Sequence, residues 1–237
     1  IVLDEGKVLA GHISEVPVLI LQGRCHFYET GGQSDTVTAM RKVTFPVCVA
    51  GDLGAHIYIA TNAAGGLNTS YKKGDLMFIT SHMGLFMPNP LLGPHVNFMD
   101  APPFQPQHTQ YNPQFVQFLQ EAASTVGESS HVHVGVYGAI PGRTYESKPE
   151  SNFLRLAGVD AVGMSTIPEI IVASNIGMET VGISLISNEI LPDGTNPTSN
   201  EEVALSLNNR TVRNRVANIL KEFFRIYGEN KCLKQSI

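Results

Sequence analysis

Cysteine is scarce in this sequence, and its spacing excludes two common roles. The 237 residues contain three cysteines, Cys25, Cys48 and Cys232, which lie far apart and form no CxxC pair. A disulfide framework or a cysteine-based metal site needs an even number or close spacing. We therefore expect reduced thiols and a cytoplasmic protein. The alternative, an extracellular protein, depends on glycosylation sequons at Asn68 and Asn209, and such triplets also arise by chance.

Long apolar runs and basic clusters are also missing. No apolar stretch approaches the roughly 20 residues that cross a bilayer. The 16 Lys and Arg residues are scattered among 21 Asp and Glu, for a net charge of −5. Such a chain lacks the positive footprint of a protein that binds nucleic acid or an anionic membrane, so we expect neither partner. The chain opens at Ile1 without an initiator Met or a signal-like segment, and we expect a mature or partial product.

What is present is the pattern of a single α/β domain covering residues 1–237. Five β-branched runs are predicted strands: 17–22, 56–61, 76–81, 132–139 and 180–187. Several are apolar almost throughout, as strands covered on both faces must be. The alternation of strands with helical patterns predicts a three-layer α/β fold, a central mixed sheet with helices on both faces. The proline-rich stretch 87–113 is the one long loop.

Capping residues mark the predicted helices. Asn112, which precedes a proline, predicts a helix start. Thr166 and Glu169 have the spacing of a capping box that opens a helix to about residue 177. Ser199 and Glu202 have the same spacing before a last helix that ends at residue 228. Two apolar stripes at helical spacing follow these starts: Phe115, Phe118, Leu119 and Ala122, then Val212, Val216, Ile219, Leu220 and Phe223.

Polar residues after the first predicted strand are the first site candidates, because ligands bind beyond the carboxyl ends of strands in open α/β sheets. If the segment 23–29 is extended, Arg24, His26 and Tyr28 share one face. A fixed cation, an imidazole and a hydroxyl would then converge on an anionic, hydroxylated ligand. The alternative is a surface pair of Arg24 with Glu29 and two rings in the core.

Two further segments have the features of an anion site. TNAAGGLN at 61–68 follows a predicted strand, and its small residues and paired glycines let backbone N–H groups approach an anion. A tight turn that only needs glycine is the alternative. Ser165 and Thr166 precede a predicted helix, whose N-terminus is a ready phosphate site. Ordinary capping would explain Thr166 and leave Ser165 free.

The last candidates are Glu146 and Asn188, at the predicted mouth of the site. A carboxylate that accepts and an amide that both donates and accepts can read the edge of a heterocycle, although either residue alone fits a solvated loop. Together the candidates describe a phosphate end, a hydroxyl-reading middle and a base-reading end. His131 and His133 would share a strand face as zinc ligands, but no third ligand stands at suitable spacing, so we expect no metal.

Four segments resemble signature segments of the trimeric purine nucleoside phosphorylases. They are GRCHFYE at 23–29, TNAAGGLN at 61–68, GRTYES at 142–147 and DAVGMSTIPEIIVA at 160–173. The resemblance runs from about Gly11 to the C-terminal helix. It implies the nucleoside phosphorylase fold and a transferase reaction of purine salvage, in which phosphate attacks C1′ of a purine nucleoside and yields ribose 1-phosphate and free base.

The resemblance also implies residue roles. Phosphate, the co-substrate, would be bound by His12, Arg24, Asn62, Ala63 and Ser165, and no organic cofactor is expected. The residues implied in catalysis are His26 beside the phosphate and paired with Glu29, Glu146 at the N1 edge of the base, and Asn188 at N7 and O6. The residues implied in nucleoside binding are Tyr28 and Met164 at the ribose, Tyr145 stacked on the base, and Ser187, Asn200 and Phe104.

Phe104 matches an aromatic residue that family members lend to the ribose pocket of a neighbouring subunit. The resemblance therefore implies a homotrimer with its sites at the interfaces. An asparagine at the position of Asn188 accompanies 6-oxopurine substrates in this family, whereas the methylthioadenosine branch carries aspartates. Inosine and guanosine are the expected substrates.

Two departures from the family pattern leave alternatives open. The family's first strand and its glycine-serine phosphate loop are not visible in the residues before Gly11, which favours a non-catalytic or weakly active phosphorylase-like protein with a binding or structural role. Asn200 stands where members that prefer a free 5′-hydroxyl place histidine, which favours an enzyme acting on 5′-modified nucleosides.

Overall fold

A computed structural model describes residues 6–30, 35–93, 100–108, 110–196 and 198–235 of the chain. Its strands are β1 Lys7–Ile13, β2 Val16–Gln22, β3 Ile57–Gly66, β4 Leu76–Met83, β5 Val132–Ala139, β6 Ala161–Gly163 and β7 Glu179–Glu189. Its α-helices are α1 Thr36–Asp52, α2 Pro113–Thr125, α3 Lys148–Leu156, α4 Ile167–Asn175, α5 Asn200–Asn208 and α6 Arg210–Gln235. Single 3-10 turns lie at Phe27–Glu29 and Ser129–His131.

The central sheet is mixed, in agreement with the α/β prediction, but it closes on itself. The strand order is β3, β6, β5, β4, β7, with β7 paired back to β3. β3 and β7 are parallel, and so are β4, β5 and β6, while β3 with β6 and β4 with β7 are antiparallel. Closure removes the exposed strand edges that an open sheet would present. The periodicity of a single strand does not show which strands pair or whether the sheet closes.

The segment TNAAGG belongs to a strand, which corrects the expectation that the strand ends at residue 61 and that a loop or a tight turn follows. β3 continues through it to Gly66, paired to β7 on one side and to β6 on the other. A Cβ at Gly65 would collide with the side chain of Ile190, and one at Gly66 would lie 3.0 Å from Ile186. The glycines therefore leave room for the side chains of Ile190 and Ile186, and neither has a positive φ.

The helix predictions are confirmed at α2 and corrected at the C-terminus. The Asn112 side chain accepts a hydrogen bond from the backbone N–H of Gln114, and α2 begins at Pro113. The last predicted helix is two helices, α5 and α6, separated at Asn209, and α6 continues beyond residue 228. Ser199 caps α5, but the Glu202 carboxylate binds Lys73, so the second half of the predicted capping box is missing.

Two layers of helices enclose the barrel. α2 and α6 pack on β4 and β7, and α1 packs with α4 against the β3 side. Both predicted apolar stripes lie in the α2 and α6 interface with the sheet. The hairpin of β1 and β2 is a separate two-stranded sheet that packs on α6. Among the helices of the described ranges, none combines the length and the apolar character that a membrane span requires.

Cys25 and Cys48 are free thiols. The side chain of Cys232 lies outside the described residues, as do residues 94–99 and 109 of the proline-rich loop.

Candidate active site

Arg24 is the centre of a polar cluster that joins three distant parts of the chain. It follows β2, and its Nη1 donates to Glu169 Oε1 at 3.0 Å and to Thr166 Oγ1 at 3.4 Å. Its Nη2 donates to Ser165 Oγ at 2.8 Å and to the Thr61 carbonyl at 3.2 Å. Three sequence-predicted places, the segments 23–29, 61–68 and 163–166, therefore meet at one cation. We call these residues, with Asn62, the Arg24 cluster.

Thr166 does not cap α4, which corrects the capping-box prediction. Its φ is 75°, and no side-chain cap bond is present. Instead its Oγ1 accepts from Asn62 Nδ2 at 2.9 Å, while Glu169 turns to Arg24. A non-glycine residue with positive φ costs free energy and is typical of functional sites. The strained turn brings the Ser165 and Thr166 hydroxyls together, 3.2 Å apart, beside the N-terminus of α4.

β3 supplies the other side of this cluster. Asn62 is buried, and its Oδ1 has no hydrogen-bond partner among the described residues. The neighbouring Ala63 is half-buried, and its carbonyl would lie 3.1 Å from a Cβ at Gly163. Buried polar atoms normally have a partner, so an unpaired amide oxygen here points to a ligand site.

His26 and Tyr28 stack beside the Arg24 cluster, although the segment is not extended as predicted. The Phe27–Glu29 turn places the two rings 5.0 Å apart and nearly parallel. Glu29 pairs with His26, 3.3 Å from its Nδ1, and not with Arg24 as in the surface-pair alternative. Burial and the charge of Arg24 lower the pKa of His26, which favours the neutral form of its imidazole.

The loop after β5 closes over Tyr28. Arg143 donates from Nε to the Tyr28 carbonyl at 3.2 Å, and its guanidinium lies 5.7 Å from the Tyr28 ring centroid. Gly142 has a φ of 71°, and a Cβ there would lie 2.6 Å from Met164 Sδ and 3.0 Å from Tyr28. Tyr28 and Met164, the two residues predicted to flank a ribose, therefore meet at this loop.

Asn188 lies near the carboxyl end of β7 and is 1% exposed. Its Oδ1 accepts from Ser187 Oγ at 2.9 Å, and its Nδ2 donates to Thr198 Oγ1 at 2.8 Å. One N–H of the amide and one lone pair of its oxygen remain for a ligand. The amide is thus held in one orientation before any ligand arrives.

Glu146 and Tyr145, which were predicted to contact the base, lie in the loop that follows β5. Tyr145 donates from its hydroxyl to Asn200 Oδ1 at 2.7 Å, which connects the loop to the first residue of α5. Burial raises the pKa of Glu146, and the nearby Glu150 adds to the shift. Raised carboxyl pKa values are typical of functional sites, where a charge is desolvated.

His12, assigned to the phosphate site by the resemblance, lies in the hairpin and has no contact with the Arg24 cluster among the described residues. His12 lies opposite Pro17 in the register of β1 and β2, five residues from Gln22. At about 3.3 Å per residue, His12 is about 16 Å from the strand end that leads to Arg24. The tight turn at Ser14 and Glu15 fixes this register.

The two histidines considered as zinc ligands have a different partner. His131 Nδ1 lies 3.2 Å from Asp75 Oδ1, and His133 Nε2 lies 2.9 Å from Asp75 Oδ2. His133 also stacks on Tyr71. Within the described ranges, no three His, Cys, Asp or Glu side chains are arranged to hold a metal. These contacts connect the start of β4 to the start of β5. Glu146 follows the other end of β5.

Three contacts of the site have no signal in the sequence. Glu169 matches a helix cap, and Thr198 and Arg143 are ordinary loop residues until the fold places them beside Arg24, Asn188 and Tyr28. The spacing of Glu169 from Thr166 does match the family segment, but it does not say which cation the carboxylate meets.

The mixed α/β barrel and the polar Arg24 cluster beside the N-terminus of α4 are the features with which known proteins can be compared. Residues 3–225 match the model of the Phosphorylase superfamily. Purine nucleoside phosphorylase 1 of Bacillus subtilis (strain 168) is 42% identical over 198 residues, 84% of this chain and 69% of that protein. The rat purine nucleoside phosphorylase is 38% identical over 194 residues, 81% of this chain and 64% of that protein.

A crystal structure of a Schistosoma purine nucleoside phosphorylase in complex with hypoxanthine superposes with a TM-score of 0.84. The identity is 30%, over 93% of this chain and 77% of the other. The chain therefore belongs to the Phosphorylase superfamily, as the four segments indicated. It is an enzyme of the purine nucleoside phosphorylase kind, and nothing in the comparisons favours a non-catalytic role.

Proposed function

We propose that this chain catalyses phosphorolysis of the 6-oxopurine nucleosides inosine and guanosine, giving the free base and ribose 1-phosphate. The observation that carries the proposal is the pairing of two ends in one structure. The Arg24 cluster offers a cation and hydroxyls to phosphate, and the pre-oriented Asn188 amide offers a donor to a purine. Tyr28 and Met164 come close to each other at Gly142, which supports the role proposed for them beside the ribose.

The proposed reaction needs charge stabilisation at both ends of the nucleoside. As the glycosidic bond breaks, the ribose becomes oxocarbenium-like and negative charge flows into the departing purine. An N–H of Asn188 donated to N7 strengthens as that charge develops, so it lowers the barrier more than it stabilises the substrate. Arg24 and Ser165 would hold phosphate for attack at C1′. The neutral His26 beside them offers a hydrogen bond without adding a charge.

The preference for 6-oxopurines follows from Glu146. An ionised carboxylate accepts the N1–H that hypoxanthine and guanine carry. Adenine has a lone pair at N1, which would face the carboxylate and leave both groups unpaired. Because leaving buried polar groups unpaired is costly, the site should discriminate strongly against adenosine.

The test is release of base from inosine, guanosine and adenosine by the purified chain, with and without phosphate. We expect phosphate-dependent release of hypoxanthine and guanine, and much slower release of adenine. Glu146→Ala serves as the control for contaminating activity. If the folded wild-type protein releases no base above background, the proposed function is wrong.

We further propose that the chain forms a homotrimer in which Phe104 reaches the ribose pocket of a neighbour. Phe104 is 87% exposed, unusual for a large apolar side chain. Its loop is nonetheless fixed to α4, because Asn175 donates to the Pro102 carbonyl at 2.8 Å and Gln105 donates to Ser174 Oγ at 3.1 Å. A ring held outward on an anchored loop is suited to filling a pocket on another subunit.

Replacing Phe104 with alanine is expected to raise the KM for inosine about tenfold, by loss of one aromatic contact, and to leave the KM for phosphate unchanged. A complementation experiment locates the contact. Co-expressed Phe104→Ala and Glu146→Ala chains form mixed trimers, in which some sites combine an intact Glu146 with a partner's intact Phe104. Activity above the sum of the two parents supports sharing between subunits. Activity equal to that sum places Phe104 in the site of its own chain or outside any site.

A further inference from the structure

Glu169 is a buried carboxylate that the reaction described above does not use. It lies in the first turn of α4 and is 2% exposed. Within the described ranges, it is the carboxylate that contacts Arg24, through Oε1 at 3.0 Å, and its Oε2 has no hydrogen-bond partner there. A buried carboxylate bonded through a single oxygen is a costly arrangement for stability alone.

The contact fixes the plane of the Arg24 guanidinium. Nη1 is held by Glu169 and Thr166, and Nη2 by Ser165 and the Thr61 carbonyl. All four hydrogen bonds have an ionised donor, but Glu169 is the acceptor of this set that also carries a charge, so its bond adds the attraction of an ion pair. Without it, the Arg24 guanidinium keeps only its contacts with uncharged oxygens, and the side chain, which is about one-fifth exposed, is held less firmly in one orientation.

The negative charge of Glu169 also repels bound phosphate, and the position of Arg24 limits this repulsion. A negative charge near a bound phosphate repels it, but here Arg24 lies against the carboxylate and neutralises it. The geometry and the charge therefore act in opposite directions: the contact orients the cation, whereas the charge itself opposes phosphate. Conservative substitutions can separate the two effects.

We propose that Glu169 is a positioning residue for phosphate: its contact with Arg24, and not its charge, sets the orientation in which Arg24 receives the co-substrate. The KM values that this proposal predicts rest on the proposed phosphorolysis. The affinity of the free enzyme for inorganic phosphate can be measured without turnover and does not rest on it.

The test compares Glu169→Asp with Glu169→Gln. Aspartate keeps the charge but is one methylene too short to maintain the contact, so we expect the Kd and the KM for phosphate to rise about tenfold, the loss of one charge-assisted hydrogen bond. Glutamine keeps an acceptor for Arg24 and removes the repulsion, so we expect phosphate constants within about threefold of the wild type. The KM for inosine should not change in either variant.

Phosphate binding is measured by calorimetry on the folded proteins, and the KM values by steady-state kinetics. Asp75→Asn is the matched control, because Asp75 is equally buried but its partners are Lys72, His131 and His133. It should lower the unfolding temperature without changing phosphate affinity. Wild-type phosphate affinity in Glu169→Asp, or equal losses in both Glu169 variants, would overturn the proposal. A wild type that binds phosphate without turnover refutes the proposed function and leaves the Glu169 comparison intact.

Discussion

Alanine at position 188 is expected to lower kcat for inosine by roughly 10²- to 10³-fold, the loss associated with removing one preorganised donor to a developing charge. Asn188 is almost fully buried, and both ends of its amide are hydrogen-bonded, to Ser187 and to Thr198. The donor therefore needs no reorganisation when negative charge reaches N7. Its removal should raise the barrier far more than it weakens substrate binding, so KM should change little.

Steady-state kinetics with inosine and phosphate measure this effect. Asn188→Asp is the isosteric comparison, because it retains the volume but cannot donate while ionised. We expect it to lose inosine turnover and to increase the ratio of adenosine to inosine turnover, since a carboxylate accepts from the 6-amino group. A kcat for Asn188→Ala within threefold of the wild type would show that Asn188 is not the transition-state donor.

The second large effect is expected at Glu146. Replacement by alanine should lower kcat/KM for inosine about 10³-fold, because the N1–H of the base loses a desolvated, charged acceptor. Glu146→Gln keeps the shape but not the charge, and its amide can present either an oxygen or an N–H to the base. We expect this variant to retain more activity and to discriminate less between inosine and adenosine.

Glu146 also predicts the acid limb of the pH profile. Burial raises its pKa, so the ionised form appears at higher pH than in an exposed glutamate. Inosine needs the ionised form, and kcat/KM should therefore fall as the pH is lowered through this raised pKa. Glu146→Gln should lack this limb. An unchanged acid limb in that variant would assign it to another group.

Some of this protein could be predicted locally, because the signal lies within one element. The strand 132–139 and the start of α2 at Asn112 are correct, since alternation and capping depend only on neighbouring residues. The α/β class follows from the order of such elements. The break at Asn209 was not predicted, because the cap at Ser199 and the apolar stripe from Val212 to Phe223 were assigned to a single helix.

Sequence patterns singled out several residues that the fold brings together, but they did not predict the contacts between those residues. Arg24, Asn62 and Ser165 were singled out from separate segments, and the fold brings them together. Thr166 and Glu169 show the limit, because a capping-box spacing predicts a local partner and the structure gives each a distant one. His12 lies opposite Pro17 in the hairpin, and its assignment to the phosphate site stays a prediction.

The sequence by itself determined the class of the fold, the helix faces that form the core, and the family through four ordered segments. Only the tertiary structure decided that the sheet closes, that Gly65 and Gly66 serve strand packing, and that Glu169 meets Arg24. The reason is physical: periodicity and caps are set over a few residues, whereas these contacts join residues up to 145 positions apart. Closure of the barrel determines which distant residues come into contact, and no local sequence pattern encodes that closure.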